Sequence, residues 1–342
     1  MIQPWIHKKQ TDVVFILLPP FFIALMVLLF NEKLAVIQDN YSFVTWLVFI
    51  VFIDVAHVYA SLFKTYLNKT EVSKHKKLFI VVPCICLLLS MAAFIVSKEF
   101  FWSVLAHIAV FHFIRQQYGF MRLYSRNEPK NKLKLLFDKV VIYNATVFPM
   151  LFWFLNPDRN FNWFVSNEFF QSNQPQITNI LFICFLMIFT TYIVLLVYNF
   201  IKTKQLNIPK NLLILGTYIS WYLGIVHYNN ELIFTAFNVV SHGIPYMALV
   251  YFKEIKPNKK GSFYLPIFQT KYLMIVFLLI LLGLAFLEEL IWELTVWEEH
   301  FQLTEFYISD TFHFIWIPLL TLPQLTHYVL DGYIWKSKKI IS

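Results

Sequence analysis

The chain has 342 residues, of which 58% are hydrophobic, 19% aromatic and only 14% charged. A soluble domain averages about 25% charged residues, so this balance excludes an ordinary soluble globule and points to an integral membrane protein. The formal charge of +8 comes from lysines and arginines that sit between apolar runs, which makes them topology signals and excludes a nucleic-acid-binding face.

A bilayer crossing needs about 20 consecutive apolar residues. In chain order such runs cover residues 13–31, 42–63, 78–97, 100–121, 140–156, 177–200, 211–227, 232–252, 272–291 and 311–335. They predict an all-α, polytopic helix bundle of about ten transmembrane helices, forming a single integral membrane domain over residues 1–342. The fifth and seventh runs are short. An eight-helix bundle, with those two re-entrant or interfacial, is the alternative. The first run, Val13 to Phe30, follows Lys8 and Lys9. It is too long for the apolar core of a signal peptide and lacks a small-residue cleavage site, so it reads as the first span.

Basic residues concentrate on the cytoplasmic side of membrane proteins. Here every lysine and arginine except Lys33, Lys98, Arg115 and Arg159 falls at the N-terminus, at the C-terminus or in alternate connections. Both termini are therefore expected in the cytoplasm, with the protein a multi-pass component of the cell (inner) membrane. The opposite connections are acidic. Glu288 to Asp310 carries Glu288, Glu289, Glu293, Glu298, Glu299, Glu305 and Asp310 together with Trp292 and Trp297. That pattern predicts an amphipathic interfacial segment with its indoles at headgroup level.

Cys84, Cys86 and Cys184 all lie in apolar runs and read as small buried hydrophobes. Cys84 and Cys86 lack the two-residue gap of a redox or zinc motif. No inverted repeat of the transporter kind is visible.

The informative residues are polar ones inside the apolar runs. The fourth run contains His107, His112, Arg115, Gln116 and Gln117. The second contains Asp54 and His57, the eighth His242, and the last His327 and Asp331. Ionisable groups at membrane depth cost about 2.5–3.5 kcal/mol each on insertion scales and are kept where they act. His112 and His242 fall mid-span, and His57 and His327 lie about 5–6 Å to the cytoplasmic side at 1.5 Å rise per residue. Common depth on separate helices predicts one polar site.

Asp54 and His57 are three residues apart, and His327 and Asp331 four apart, so each pair shares a helix face. A carboxylate beside a histidine fixes its orientation or joins it as a ligand. His57, His112, His242 and His327 are the expected metal ligands, with Arg115, Asp54 and Asp331 as candidate catalytic groups. Arg115 is expected to face the interior near mid-membrane, paired with Asp54, Asp331 or an anionic substrate. His107 lies about 140° round the helix from His112 and is expected to face elsewhere, toward an access path. Pro245 and Pro323 are expected to kink their helices and free carbonyls. His227 and His313, near outer span ends, and His7, His75 and His300, in connections, carry no such signal. Imidazoles with carboxylates suit iron, with zinc or copper as alternatives.

The His107-to-His112 spacing resembles the leading histidine box of membrane fatty acid desaturases and hydroxylases, but the chain has no adjacent histidine pair of the kind their other boxes need. The stretches FHFIRQQYG and SHGIPY resemble those of the bacterial Brp/Blh-like β-carotene 15,15′-dioxygenases. These are polytopic membrane proteins with histidines dispersed over several helices and thought to hold one iron. The resemblance implies an iron-dependent oxygenase acting within the lipid bilayer on a lipophilic small-molecule substrate, a carotenoid or an acyl chain. No ligand assignment carries over residue by residue. A proton- or ion-coupled transporter using the same His, Asp and Arg groups, and a structural or assembly membrane protein, are the alternative functions.

Overall fold

The computed structural model describes residues 3–40, 42–129, 131–257, 263–264, 272–301 and 308–335. Lys130, Lys259, Lys260, Lys271, Glu305, Lys336, Lys338 and Lys339, used above for topology, lie outside the described residues. No β-strand occurs among the described residues; the only pairing of that kind is an isolated bridge between Asn68 and Phe263.

Each run expected to span falls on helix. Among the described residues, six helices are long and apolar enough to cross a membrane: Ser42–Phe63, Lys69–Val96, Lys132–Leu155, Pro175–Thr203, Glu231–Ile255 and Leu273–Trp297. A further pair, Lys9–Leu17 and Pro19–Phe30, is bent by 50°. The break has a local cause. Pro19 and Pro20 supply no backbone N–H, so the helical hydrogen-bond ladder is interrupted there, although Leu18 itself keeps right-handed helical angles (φ −79°, ψ −26°). Lys98–Tyr124, Ile208–Trp221 with its continuation Tyr222–His227, and the broken pair His313–Leu320 and Leu322–Ile334 complete the set.

Asparagine starts four of these helices; Asn230, before Glu231, accepts from the backbone N–H of Ile233 at 3.0 Å. Asn68 accepts from the backbone N–H of Thr70 and Glu71, Asn131 from Leu133 and Lys134, and Asn207 from Lys210. Each side-chain oxygen satisfies donors that the first turn leaves unpaired. Several helices loosen into wider π turns, the longest being Trp46–Val55, which leads directly into His57.

The chain forms two compact units. The first comprises residues 1–41 and 110–245, the second 42–109 and 246–342. One boundary falls between residues 41 and 42, and the other two fall within the Lys98–Tyr124 and Glu231–Ile255 helices.

In the first unit, Lys132–Leu155 packs on Pro175–Thr203 and on Ile208–Trp221. Asn144 ties them together: its Nδ2 donates to the Phe185 carbonyl at 3.1 Å and to Tyr218 Oη at 2.9 Å. Gly216 allows the Pro19–Asn40 helix to approach closely, because a Cβ there would sit 2.7 Å from Pro20 Cγ. Where the basic connections meet, Lys210 Nζ lies 3.0 Å from Glu128 Oε1 and 3.1 Å from Asp138 Oδ2, all three groups being buried. The positive-inside reading treated Lys210 as a loop charge; it is a buried counter-ion.

The second unit has a core built from Val51, Val55, Ala56, Ala60, Phe63, Tyr246, Val250, Phe277, Leu281 and Ala285. The alanines let helices Ser42–Phe63 and Leu273–Trp297 approach closely. The segment after Glu288 corrects the expectation of an interfacial strip. Helix continues through Trp297, and Glu288, Glu289, Glu293 and Trp292 are all buried. Glu293 accepts from the backbone N–H of Glu299 at 3.1 Å and of His300 at 2.8 Å, and its Oε1 lies 3.0 Å from His300 Nδ1. His300 also stacks on Trp46 at 4.4 Å, so it is anchored where the sequence offered no signal. Cys86 is buried as expected, but Cys84 and Cys184 are exposed on their helices.

Candidate functional site

In the second unit, the Ser42–Phe63 helix brings Asp54 and His57 inward. The His57 ring is buried, and its Nδ1 lies 3.5 Å from Asp54 Oδ1. The Leu322–Ile334 helix does the same with His327, whose Nδ1 is 3.7 Å from Asp331 Oδ1. The two imidazoles meet nearly at right angles, 77° between planes, with centroids 5.1 Å apart. Tyr246 stands edge-on to both, 5.1 Å from His327 and 5.9 Å from His57. Its hydroxyl donates to Asp331 Oδ1 at 2.6 Å and accepts from Trp335 Nε1 at 3.5 Å. A chain of contacts therefore runs from Trp335 through Tyr246 and Asp331 to His327.

The same unit buries further carboxylates. Tyr59 donates its hydroxyl to Glu288, and Glu289 lies beside Glu288 on the same helix.

In the first unit, His112 on Lys98–Tyr124 and His242 on Glu231–Ile255 form a second buried pair. Their centroids are 5.2 Å apart and their planes 79° apart. Phe113 stacks on His242 at 3.5 Å and 6°, which fixes the plane of that ring. The backbone around His242 is held by glutamines. Gln116 Nε2 donates to the His242 carbonyl at 2.8 Å, and Gln117 Nε2 reaches the Ser241 carbonyl at 3.4 Å. Pro245 explains the second contact: it has no N–H to offer the carbonyl four residues back, and Gln117 takes its place. Thr217 Oγ1 donates to Gln117 Oε1 at 3.1 Å and holds that amide in place.

Two imidazoles bound to one ion at about 2.1 Å and near-tetrahedral angles carry their centroids about 5 Å apart. Both histidine pairs meet that spacing with near-perpendicular planes. Each is compatible with two nitrogens converging on one ion, and in the second unit Asp54 and Asp331 stand next to the rings.

The four expected ligands are thus buried and paired within units: His57 with His327, His112 with His242. Asp54 and Asp331 stand beside the histidines the spacing assigned them. Arg115 corrects the sequence reading. It is exposed, donates from Nη1 to Tyr143 Oη at 3.0 Å, and lies over the Tyr118 ring at 5.2 Å. Neither Asp54 nor Asp331 pairs with it among the contacts of the described residues. The reason is rotational: Arg115 is three residues from His112 but on the flank of the helix, where it meets the phenols of Tyr143 and Tyr118. His107 faces away as expected, exposed, with Nδ1 2.7 Å from the Ser103 carbonyl.

Tyr246, Tyr59 and Glu288 were missed by the sequence reading. Tyr246 is four residues from His242 and directly follows Pro245, so its place on the helix was legible. Its hydrogen bond to Asp331, 85 residues later, was not.

No protein-family model matches the chain, and no curated protein and no solved structure matches it.

Proposed function

We propose that this protein is a membrane-embedded metalloenzyme of about ten transmembrane helices, with both termini in the cytoplasm and His57, His112, His242 and His327 as metal ligands. The observation that carries the reading is the pair of perpendicular, buried imidazole contacts at 5.1 and 5.2 Å, each within a helical unit rich in apolar residues. Histidine and carboxylate donors fit iron best in this reading, with zinc and copper as alternatives. When bound, iron with open positions would supply oxygen activation.

The surrounding residues have separate roles. Asp54 and Asp331 stand 3.5 and 3.7 Å from Nδ1 of His57 and His327, where a small shift on loading would let them orient those edges and leave the Nε2 edges for an ion. Tyr246 holds Asp331. Phe113 fixes the plane of His242, and Gln116 and Gln117 rigidify the proline-broken turn behind it. Tyr246 beside one pair and Phe113 against the other give each an aromatic wall that suits a lipophilic substrate, a carotenoid or an acyl chain. Arg115 takes no part in this site.

A second reading, a proton- or ion-coupled transporter, is favoured by one observation. Glu288 and Glu289 are buried beside Tyr59 in the same unit as His57, and buried carboxylates of this kind build proton relays.

Anaerobic purification with iron, zinc and copper supplied, followed by elemental analysis, separates the two. Stoichiometric metal supports the enzyme. Metal-free protein that carries proton-coupled flux in vesicles supports the transporter. Reporter fusions after Ser342 and within residues 161–174 test the topology, with a cytoplasmic C-terminus expected.

A further inference from the structure

The displaced arginine marks a second site. Phe111, Arg115, Gly119 and Arg122 follow one another at helical spacing along one stripe of the Lys98–Tyr124 helix. Phe111 is 60% exposed, Arg115 and Gly119 are exposed, and Arg122 is half-buried. A Cβ at Gly119 would meet nothing within 4 Å, so the glycine leaves an open notch directly after Arg115. The neighbouring Lys132–Leu155 helix completes the surface. Tyr143 accepts the Arg115 hydrogen bond, its ring lies 5.8 Å from that of Tyr118, and exposed Lys139 holds its Nζ 5.7 Å from the Tyr143 ring. Val140, beside Lys139, is 40% exposed. All of these residues belong to the first unit.

Among the described residues, the patch has cations and no anion. Arg115 spends one of its five N–H donors on a phenol, and no carboxylate among the described residues pairs with it. An arginine on the lateral face of a membrane helix is costly unless it meets a counter-charge or reaches the interface. Arg115 lies nine residues before Tyr124, about 13 Å at 1.5 Å rise per residue. Its guanidinium is turned toward Tyr118, that is, toward the basic end of the helix, as a snorkelling side chain would be. The anion present at such a surface is a lipid phosphate, which a guanidinium binds with two parallel N–H donors. Basic pockets between membrane helices on the cytoplasmic side bind such headgroups.

We propose that Arg115, Lys139, Tyr118 and Tyr143, around the Gly119 notch, form a binding site for the phosphate of an anionic phospholipid, its acyl chain running along Phe111 and Val140. The site rests on the membrane reading and is independent of the metal.

The test uses the full-length protein, purified and delipidated in an uncharged detergent, with lipid binding read by native mass spectrometry. Wild type is expected to retain phosphatidylglycerol in preference to phosphatidylcholine. One cation near an anionic surface is worth about 1 kcal/mol, or about fivefold, so the Arg115→Gln and Lys139→Gln variants are each expected to bind phosphatidylglycerol about fivefold more weakly. Lys132→Gln, at the helix start outside the patch, is expected to leave it unchanged. Gly119→Leu keeps both charges but fills the notch, and is expected to weaken the same lipid. If Arg115→Gln does not fold, Gly119→Leu decides: unchanged phosphatidylglycerol affinity in that variant overturns the proposal. Equal affinity for the two lipids in wild type overturns it as well. Displacement of the lipid by millimolar inorganic phosphate would show a free-anion site and overturn the lipid assignment.

Discussion

The hydroxyl of Tyr246 donates to Asp331 Oδ1 at 2.6 Å, and Asp331 in turn stands 3.7 Å from His327 Nδ1. The hydroxyl therefore acts on His327 only through the carboxylate, while the ring packs on the imidazole directly at 5.1 Å. Losses in the layer behind a metal ligand cost about 10–100-fold in affinity or activity. Tyr246→Phe is expected to weaken metal binding within that range while keeping the ring packing against His57 and His327. Asp331→Asn is expected to do the same. Competitive chelator titration of the purified variants checks both, and wild-type affinity in Tyr246→Phe would remove the tyrosine from the site.

Gly216 gives a stability prediction that is independent of any metal. A Cβ there meets Pro20 Cγ at 2.7 Å and Phe21 Cε2 at 3.3 Å, and a proline ring held at a helix break has little freedom to move. Forced overpacking of this kind costs about 1–3 kcal/mol. Gly216→Ala is expected to lower the thermal midpoint in detergent, whereas Gly283→Ala, whose Cβ meets nothing within 4 Å, is not. A midpoint for Gly216→Ala equal to wild type would show that the two helices are not packed as described.

The buried Lys210 balances Glu128 and Asp138. Removing one member of a buried ionic group leaves the others uncompensated and costs about 3–5 kcal/mol. Lys210→Met is expected to lose stability on that scale, measured by denaturant or heat. The pH dependence has a definite sign. Burial raises the pKa of Glu128, but Lys210, Lys134 and Asn207 act the other way and outweigh it, holding the carboxyl below its ordinary 4.5. Its contribution is therefore present above pH 4.5 and is lost as pH falls from there through the lower folded value. Lys210→Met removes the largest of the opposing groups, so the loss of stability on acidification is expected to be smaller in that variant than in wild type.

Much of the helical layout was legible because it depends on local composition: apolar length sets each helix, and asparagine or proline sets its ends. The histidine–carboxylate pairs were legible for the same reason, since Asp54 with His57 and His327 with Asp331 need only helical spacing to share a face. What the sequence could not settle was rotation. Arg115 shares a helix with His112 but lies on its flank, and Glu288, placed by its charge in an outer loop, is buried under Tyr59. Both depend on which neighbouring helix is present, and that information is not local. Lys210 is the same case: a lysine in a basic connection becomes a buried counter-ion only when Glu128 and Asp138 are brought to it.

The most direct test is metal per protein, by elemental analysis, in the wild type and in four variants: His57→Ala, His112→Ala, His242→Ala and His327→Ala. The account predicts stoichiometric metal in the wild type, its loss in each of the four, and wild-type content in His107→Ala, whose ring faces outward. Metal-free wild type after purification with iron, zinc and copper supplied, or full metal content in the four histidine variants, would contradict it.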